Sequence, residues 1–279
     1  MQEKLDLWFT ERHSPSLGIT LKVREVLHRE TTPYQDLAVL DTYQYGRLLA
    51  LDGVIQTTER DEFVYHEMIA HVPLFSHPDP REVLVVGGGD GGVVREVLKH
   101  PGVQRAVLVE IDRAVVEASR AFLPSISSGL DDPRVELVVA DGIEYVRGTT
   151  AAFDVVIVDS TDPVGPAVGL FSGEFYGSVR RALREGGIMV AQTDSPFTAP
   201  GRIREVLAAV RGHFPVARTY LASVPTYPAG LWAFTAGSTR VDPAVPSRMP
   251  PAGFQSRYYT SELHRAAFVL PRFVAELSE

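Results

Sequence analysis

The amino-acid sequence predicts an α/β protein with a mostly parallel sheet, helices on both faces of that sheet, and a small antiparallel β-domain at the N-terminus. Strand and helix patterns alternate after residue 60, and short β-rich segments fill the residues before it. In addition, 45% of the 279 residues are hydrophobic, which is enough to bury a sizeable core. We therefore expect two domains, over 1–60 and 61–279.

The predicted N-terminal domain consists of short segments that alternate or run as β-rich pieces. In order, these segments are LGITLKVREVLHRE, YQDLAVLDT, YGRLLALD and GVIQTT. Asp52 and Gly53 lie between the last two, where an Asp-Gly pair is typical of a tight hairpin turn. The segments therefore predict antiparallel strands joined by hairpins.

The second domain opens with a predicted helix in DEFVYHEMIAHVPLF. We expect this helix to begin at Glu62 and to stop before Pro73, because proline removes a helical hydrogen bond. Helical stretches such as 114–122 and 173–183 then separate β-rich runs that predict strands over 83–86, 106–111, 135–139, 155–158 and 188–191. Further strands near the C-terminus should complete the sheet. Ligands of such sheets bind at the carboxyl ends of the parallel strands.

Composition limits the possible partners. The net charge of -8 disfavours nucleic acid and is compatible with a cationic small molecule. The sequence contains no cysteine, which excludes disulfides, thiolate nucleophiles and cysteine metal ligands. No segment has the length and apolarity of a membrane span or a signal peptide. We therefore expect a cytoplasmic enzyme without nucleic-acid or membrane partners.

Residues 83–92 read VLVVGGGDGG, a strand followed by a glycine-rich turn and the start of a helix. Gly87, Gly89 and Gly92 satisfy a GxGxxG pattern, which nicotinamide-binding and S-adenosylmethionine-binding folds share. Asp90 does not suit a phosphate site, because a carboxylate at a helix N-terminus would repel a pyrophosphate. It would also repel the carboxylate of S-adenosylmethionine. Decarboxylated S-adenosylmethionine is a sulfonium nucleoside with a bare ammonium arm. It has neither a pyrophosphate nor that carboxylate, and its ammonium group would be attracted to Asp90.

Carboxylates follow four consecutive predicted strands. They are Asp90, Glu110, Asp141 and, in DVVIVDSTDP, Asp159 and Asp162. For Asp141 taken alone, a turn or helix-cap role is the more common one. Five acids at one edge, however, would raise one another's pKa unless a cation or a network of donors compensated them. The pattern therefore indicates a cleft that binds cations.

Three of these acids have specific predicted roles. Glu110, at the end of the second strand, is in the position that accepts hydrogen bonds from ribose hydroxyls, which indicates an adenosine moiety. A polyamine acceptor has a primary amine with a pKa of about 10, and this amine must lose a proton before it attacks the carbon beside the sulfonium. We predict Asp159 as the acceptor of that proton. Asp162, three residues further along the chain, is predicted to hold a substrate ammonium group.

The segments GGGDGG, VEID, ADG, DSTDPVGPA, LDGVIQTTERDEFVYHEM and PTYP together resemble the motifs of the polyamine aminopropyltransferases, the family of the spermidine synthases. The likeness extends to RYYTSELHRAAFVLPRF and so covers nearly the whole chain. It implies a Rossmann-like catalytic domain, similar to that of S-adenosylmethionine methyltransferases, behind a small N-terminal β-domain. It also implies aminopropyl transfer to putrescine with release of methylthioadenosine, no metal or further cofactor, and a homodimer or homotetramer.

The resemblance also implies roles for individual residues. Asp159 matches the family's proton acceptor, Asp162 its companion at the polyamine, and Asp90 the residue that anchors the aminopropyl amine. Further positions that match donor-binding or polyamine-binding residues of the family are Gln35, Glu110, Asp141, Gly142 and Pro166 for the donor nucleoside, and Tyr65, His66 and Tyr227 for the polyamine. Aromatic faces attract cations, which gives the two tyrosines a physical role.

Several interpretations stay open at this point. A methyltransferase would use the same ribose and adenine contacts, although Asp90 argues against its donor, and a non-catalytic binder could use the same acids. Asp194, in QTDSPF, is a candidate for the distal acceptor nitrogen, and PVGPAVGLFSG is a candidate lid. His66 and His71 are five residues apart rather than four, so we reject a zinc site on that helix.

Overall fold

The structure is a computed structural model that describes residues 6–161 and 165–278. Within these residues the N-terminal part is an antiparallel sheet of five strands in chain order, β1 (Leu7–Ser14), β2 (Leu17–Thr31), β3 (Asp36–Thr42), β4 (Gly46–Leu51) and β5 (Val54–Thr58). The predicted hairpin between β4 and β5 is confirmed, because Asp52 has φ 50° and Gly53 has φ 77°, as a turn with positive φ at both central residues requires. The division into domains 1–60 and 61–279 stays a prediction.

The second sheet is mostly parallel, as predicted. In the part of the chain that the structure describes it has seven strands in the order β11-β12-β10-β9-β6-β7-β8. The strand β12 is antiparallel to β10 and to β11. The bounds of the strands are β6 (Glu82–Gly87), β7 (Arg105–Glu110), β8 (Val135–Val139), β9 (Phe153–Asp159), β10 (Leu183–Gln192), β11 (Val216–Ser223) and β12 (Leu231–Ser238).

Helices precede, connect and follow the strands of the second sheet. They are α1 (Glu62–Ser76), α2 (Gly92–Leu98), α3 (Arg113–Phe122), α4 (Pro124–Ser127), α5 (Gly142–Arg147), α6 (Gly173–Ala182), α7 (Pro200–Arg211), α8 (Ser261–Ala267) and α9 (Arg272–Ala275). Among the described residues, none of these helices combines the length and the apolarity that a bilayer crossing requires.

The prediction that α1 stops before Pro73 was wrong, because the helix continues to Ser76. Proline removes one helical donor. The final turn is held by packing and by other donors: Leu74 and Phe75 are fully buried, and the His77 N–H donates to the Pro73 carbonyl. Burial of the last turn outweighs the lost hydrogen bond. A rule that considers only the local effect of proline does not include this tertiary contribution.

The parallel sheet is covered on both faces because its strands are apolar throughout. Val83 and Val85 point to the face packed by α1 and α2, while Leu84 and Val86 point to the face packed by α6 and α7. A separate apolar cluster joins β3 and β4 to α3 and α4. The N-terminal sheet is therefore packed beside the carboxyl ends of the parallel strands, where Asp90 and Asp159 lie.

Candidate active site

A cavity of about 440 Å³ lies at the carboxyl ends of the parallel strands, and the N-terminal sheet contributes part of its wall. The structure brings nine of the predicted site residues to this one cavity. They are Gln35, Tyr65, His66, Asp90, Glu110, Asp141, Gly142, Asp159 and Tyr227. Asp162 lies outside the described residues, as does the side chain of Pro166.

Asp90 and Asp159 lie close together because their strands are neighbours. The strands β6 and β9 pair in parallel, with Gly87 opposite Asp159. Burial raises the pKa of Asp159, the charge of Asp90 raises it further, and His66 and Tyr65 oppose them, so that the pKa is about 6. Asp159 is therefore a stronger base than an exposed aspartate and is still ionised above pH 6.

The glycines around Asp90 make room for neighbouring side chains. At Gly88, which has φ +71°, a Cβ atom would lie 2.7 Å from Asp159 Oδ2. At Gly92 a Cβ atom would lie 2.2 Å from the His66 ring. The loop is thus shaped by the acids and the histidine packed against its backbone. Asp90 itself is 8% exposed, and its Oδ1 accepts the Gly92 N–H at 2.7 Å.

Tyr65 and His66, consecutive on α1, meet different acids of the cavity. The Tyr65 hydroxyl donates to Asp159 Oδ1 at 2.6 Å. His66 Nε2 lies 3.4 Å from Asp90 Oδ2, and His66 Nδ1 lies 2.5 Å from Glu62 Oε2. Burial lowers the pKa of His66, but Asp90 and Glu62 outweigh burial and raise the pKa to about 10. His66 is therefore a cation between two carboxylates.

Glu110 closes the second strand as predicted and is held by backbone donors. Its Oε2 accepts the Gly89 N–H at 3.1 Å, and its Oε1 accepts the Asp112 N–H at 2.9 Å. Burial raises the pKa of Glu110 to about 7, with a further contribution from the charge of Asp112. A carboxylate so buried gains from hydroxyl donors brought by a ligand.

Gln35 connects the N-terminal part of the chain to the second sheet. Its Nε2 donates to Asp112 Oδ2 at 2.9 Å, and the Thr32 hydroxyl donates to the same oxygen at 2.7 Å. Asp112 also caps α3 by accepting the Ala114 N–H. Sequence reasoning did not single out Asp112, although it stands two residues beyond Glu110 in VEID.

Asp141 and Gly142 lie at the start of α5. Asp141 Oδ1 accepts the Ile143 N–H at 2.8 Å, which is the helix-cap geometry weighed for this residue from the sequence. Both residues also line the cavity. A Cβ atom at Gly142 would lie 2.5 Å from Val86 Cγ1, so glycine is required there by packing. Asp141 therefore caps the helix α5 and lines the cavity at the same time.

Aromatic rings form one wall of the cavity. The Tyr65 and Tyr227 ring centroids are 5.6 Å apart, and Tyr227 makes an edge contact with Trp232 at 4.7 Å. The Tyr227 hydroxyl donates to the Gln56 carbonyl at 2.6 Å. Trp232 was not predicted from the sequence, because it lies in a strand whose other residues are core.

Glu11 is a cavity residue that sequence reasoning missed. It lies in β1, is 3% exposed and accepts the Ile55 N–H with Oε2 at 2.7 Å. Its Oε1 lies 2.9 Å from His13 Nε2. The signal available in the sequence was weak: Glu11 alternates with Phe9, so it occupies an inward-facing strand position where a charge is unusual.

Asp194 occupies a different environment. Its Oδ2 accepts from Arg202 Nη1 at 2.5 Å, and its Oδ1 accepts the Ser195 N–H. It is not among the described residues that line the cavity. Its carboxylate is thus engaged by a cation of the chain itself. In the described ranges 6–161 and 165–278, no group of three or more His, Asp or Glu side chains could hold a metal ion.

The fold and the cavity define an α/β protein that binds ligands at the carboxyl ends of parallel strands, with an acidic cleft that suits cations. Two family models match. Residues 62–247 match the spermine/spermidine synthase domain, and residues 7–59 match the spermidine synthase tetramerisation domain. The chain belongs to the spermine/spermidine synthase family and is an enzyme, a transferase. The resemblance inferred from the motifs is confirmed.

Relatives agree over the full length. The chain is 56% identical over 273 residues to a polyamine aminopropyltransferase of Thermoanaerobacter sp. (strain X514), with 98% of this chain and 99% of the relative covered. It is 52% identical to the polyamine aminopropyltransferase of Bacillus subtilis (strain 168), with coverage of 98% and 99%. A spermidine synthase solved in complex with the transition state analogue AdoDATO superposes with a TM-score of 0.95 at 42% identity, covering 100% of this chain and 96% of that one. The spermidine synthase from Thermotoga maritima gives a TM-score of 0.92 at 41% identity, with coverage of 100% and 95%.

Proposed function

We propose that this enzyme transfers the aminopropyl group of decarboxylated S-adenosylmethionine to putrescine, giving spermidine and methylthioadenosine. The observation that carries the proposal is a pair of carboxylates in one cavity, the buried Asp90 just after β6 and the half-buried Asp159 at the end of the neighbouring strand β9. One carboxylate can hold an ammonium group while the other accepts a proton. The names of the relatives, and the transition state analogue bound by one of them, support the same reaction class.

The donor is proposed to lie along the rim formed by β6, β7 and β8. Glu110 accepts hydrogen bonds from the ribose hydroxyls, and Asp90 holds the ammonium of the aminopropyl arm. The remaining donor contacts are assigned to Gln35, Asp141, Gly142 and Pro166. A carboxylate at Asp90 selects the decarboxylated donor, because the additional carboxylate of S-adenosylmethionine would be repelled.

The acceptor is proposed to lie between the aromatic wall and the two central acids. Tyr65 and Tyr227 flank the methylene chain and its cations. Asp159 and Asp162 meet the attacking amine, with His66 part of the polyamine site through its contact with Asp90. We assign the second ammonium group of the diamine to Glu11, and the burial of this carboxylate in the same cavity supports the assignment.

The chemistry then follows from the charges. Putrescine binds as a dication, and its attacking nitrogen transfers a proton to the Asp159 carboxylate. The freed lone pair forms a carbon–nitrogen bond to the aminopropyl carbon, the carbon–sulfur bond breaks, and its electron pair neutralises the sulfonium as methylthioadenosine leaves. Sulfonium is a good leaving group, so alignment of the two substrates supplies much of the rate enhancement. The proton on Asp159 passes to solvent after product release.

Mass spectrometry of the products tests the proposal directly. Purified enzyme is incubated with decarboxylated S-adenosylmethionine and an equimolar mixture of putrescine, cadaverine, agmatine and spermidine. We expect the amount of spermidine to increase as methylthioadenosine forms, with putrescine consumed first. A methylated amine formed only from S-adenosylmethionine would favour a methyltransferase, and no product from either donor would favour a polyamine-binding protein.

The match of residues 7–59 to a tetramerisation domain supports a homo-oligomer. We propose a homotetramer, with a homodimer as the alternative, and a cytoplasmic location. Sedimentation velocity on the purified chain distinguishes the two assemblies by mass.

A further inference from the structure

A buried series of charged groups extends from α2 through α1 to Asp90. Arg95 Nη2 donates to Glu62 Oε2 at 2.7 Å, and the same Glu62 oxygen lies 2.5 Å from His66 Nδ1. His66 Nε2 in turn lies 3.4 Å from Asp90 Oδ2. Glu62 is 7%, His66 2% and Asp90 8% exposed, so water does not screen these contacts strongly. The series connects residues outside the cavity to one of its two central acids.

The position of His66 between two carboxylates determines its protonation. A carboxylate only accepts hydrogen bonds, so each ring nitrogen that faces one must carry a hydrogen. A neutral imidazole could satisfy Glu62 or Asp90, but not both. The doubly protonated ring satisfies both, and this agrees with a pKa raised by Asp90 and Glu62 against the opposing effect of burial.

Glu62 is suited to hold the ring because Arg95 holds Glu62. Burial raises the pKa of Glu62, but His66 and Arg95 outweigh burial and lower it, so Glu62 stays ionised. Arg95 is itself oriented by Glu96 Oε1 at 2.8 Å and by the Ser125 carbonyl at 3.0 Å. The Glu62 carboxylate is thus placed by α2 and directed at a ring on its own helix.

Other titratable groups near this series come from α1, from α2 with its following residue Lys99, and from β9. From α1, Tyr65 contacts Asp159, and His71 Nε2 lies 3.1 Å from Glu96 Oε2. From α2, Lys99 pairs with Glu96 at 2.6 Å. Asp159 is the last residue of β9, and the charge of Asp90 acts on it. Glu62 and Asp90 are the two carboxylates that form ion pairs with the His66 ring among the described residues.

We propose that Glu62, held by Arg95, is a positioning residue: it keeps both nitrogens of His66 protonated, so that the Nε2–H holds the Asp90 carboxylate where it meets the ammonium of the aminopropyl donor. Glu62 also balances the positive charge of His66. Without that balance the imidazolium would repel the arriving ammonium. This inference rests on the proposed function for the identity of the ligand, whereas the state of His66 can be measured without any ligand.

The first test is histidine ¹³C and ¹⁵N NMR of the full-length protein, with His66 assigned by comparison with His66→Asn. We expect both His66 nitrogens to be protonated at neutral pH and to stay so into the alkaline range. In Glu62→Gln the ring should titrate at lower pH, because one of its two carboxylate partners has lost its charge. A singly protonated ring in the wild type, or an unchanged titration in Glu62→Gln, would overturn the proposal.

The second test is calorimetry with two probes, decarboxylated S-adenosylmethionine and methylthioadenosine, which lacks the ammonium. Glu62→Gln should weaken binding of the first by roughly tenfold and leave binding of the second nearly unchanged. Glu62→Asp keeps the charge and should retain the doubly protonated ring. Equal weakening of the two probes in Glu62→Gln would mean a merely structural role and would contradict the proposal.

Asp154→Asn is the matched control. Asp154 is a carboxylate of similar burial, 7% exposed, that pairs with Arg184 at the opposite end of β9 from Asp159. The Asp154→Asn substitution should change neither the titration of His66 nor the ratio of the affinities for decarboxylated S-adenosylmethionine and methylthioadenosine. A further outcome is a wild type that forms no aminopropyl product while His66 titrates as expected. The proposed reaction would then be wrong, but the role of the Glu62 carboxylate in keeping His66 doubly protonated would stand.

Discussion

The Tyr65 hydroxyl donates a hydrogen bond of 2.6 Å to Asp159 Oδ1. This bond joins the helix α1 to the carboxyl end of the strand β9. The bond stabilises the ionised form of Asp159 against burial and against the charge of Asp90, both of which raise its pKa. The result is a half-buried carboxylate with a pKa of about 6, low enough to be ionised at neutral pH and high enough to accept a proton from an amine in the transition state.

Replacement of Asp159 by Asn should lower turnover by about 10²- to 10⁴-fold without unfolding the protein. The change should also stabilise the fold. An acid whose folded pKa is raised costs stability above its ordinary pKa, and the cost is complete above the folded value of about 6. At neutral pH the free energy of unfolding should therefore rise by on the order of 1 kcal/mol, as measured by urea denaturation. Turnover at the wild-type rate in this variant would exclude Asp159 as the proton acceptor.

Replacement of Tyr65 by Phe should move the acid limb of the kcat/KM profile to higher pH. The hydroxyl lowers the pKa of Asp159, so its loss raises the pH above which Asp159 is ionised. Tyr176→Phe is the control, because that hydroxyl is buried without a hydrogen-bond partner among the described residues. A limb that stays near its wild-type position in Tyr65→Phe would show that the bond does not tune the base.

Replacement of Asp90 by Asn should weaken binding of decarboxylated S-adenosylmethionine by roughly ten- to a hundredfold, and binding of methylthioadenosine much less. Asn can still accept the Gly92 N–H, so the loop should keep its shape. The acid limb of kcat/KM should move to lower pH, because Asp90 raises the pKa of Asp159. Calorimetry with both ligands provides the comparison, and equal losses would contradict an ammonium site at Asp90.

Replacement of Glu11 by Gln should raise the KM for putrescine and leave the affinity for the donor unchanged. The amide oxygen can still accept the Ile55 N–H, so the effect reports the lost charge rather than a lost hydrogen bond. Steady-state kinetics with each substrate varied in turn measures the difference. Glu185→Gln, in an exposed pair with Arg240, serves as the control. An unchanged KM for putrescine would remove Glu11 from the acceptor site.

Replacement of Gly92 by Ala should destabilise the protein and abolish turnover, because the new Cβ would lie 2.2 Å from the His66 ring. Overpacking of this kind costs about 1–3 kcal/mol. Gly201→Ala, where no atom lies within 4 Å of the new Cβ, should be stabilising by up to about 1 kcal/mol. Thermal unfolding of the two variants checks the contrast, and a Gly92→Ala protein as stable as the wild type would show that the loop can shift.

Much of the site could be predicted because its acids follow a regular topology. Parallel strands end at one edge of the sheet, so Asp90, Glu110 and Asp159 were expected together before their distances were known. The hairpin at Asp52 was predictable for a similar reason, since its turn is defined by a local pair of residues.

The residues that sequence reasoning missed are those whose partners are distant in the chain. Glu11 reaches the cavity through the packing of β1 against β5, and Arg95 reaches Glu62 through the packing of α2 against α1. Neither pairing leaves a periodic pattern in the sequence. The helix α1 continues through Pro73 for a related reason, because burial of its last turn is a tertiary effect.

The sequence by itself determined the fold class, the order of the strands along the chain and the place of Asp90, Glu110, Asp141 and Asp159 at one rim, because periodicity and turn residues act over short stretches. Only the tertiary structure decided that His66 lies between Glu62 and Asp90 and that Tyr65 donates to Asp159. It also decided that the N-terminal sheet adds Glu11 to the cavity. These contacts depend on burial and on the approach of separate elements to within hydrogen-bond distance, which local propensity does not specify.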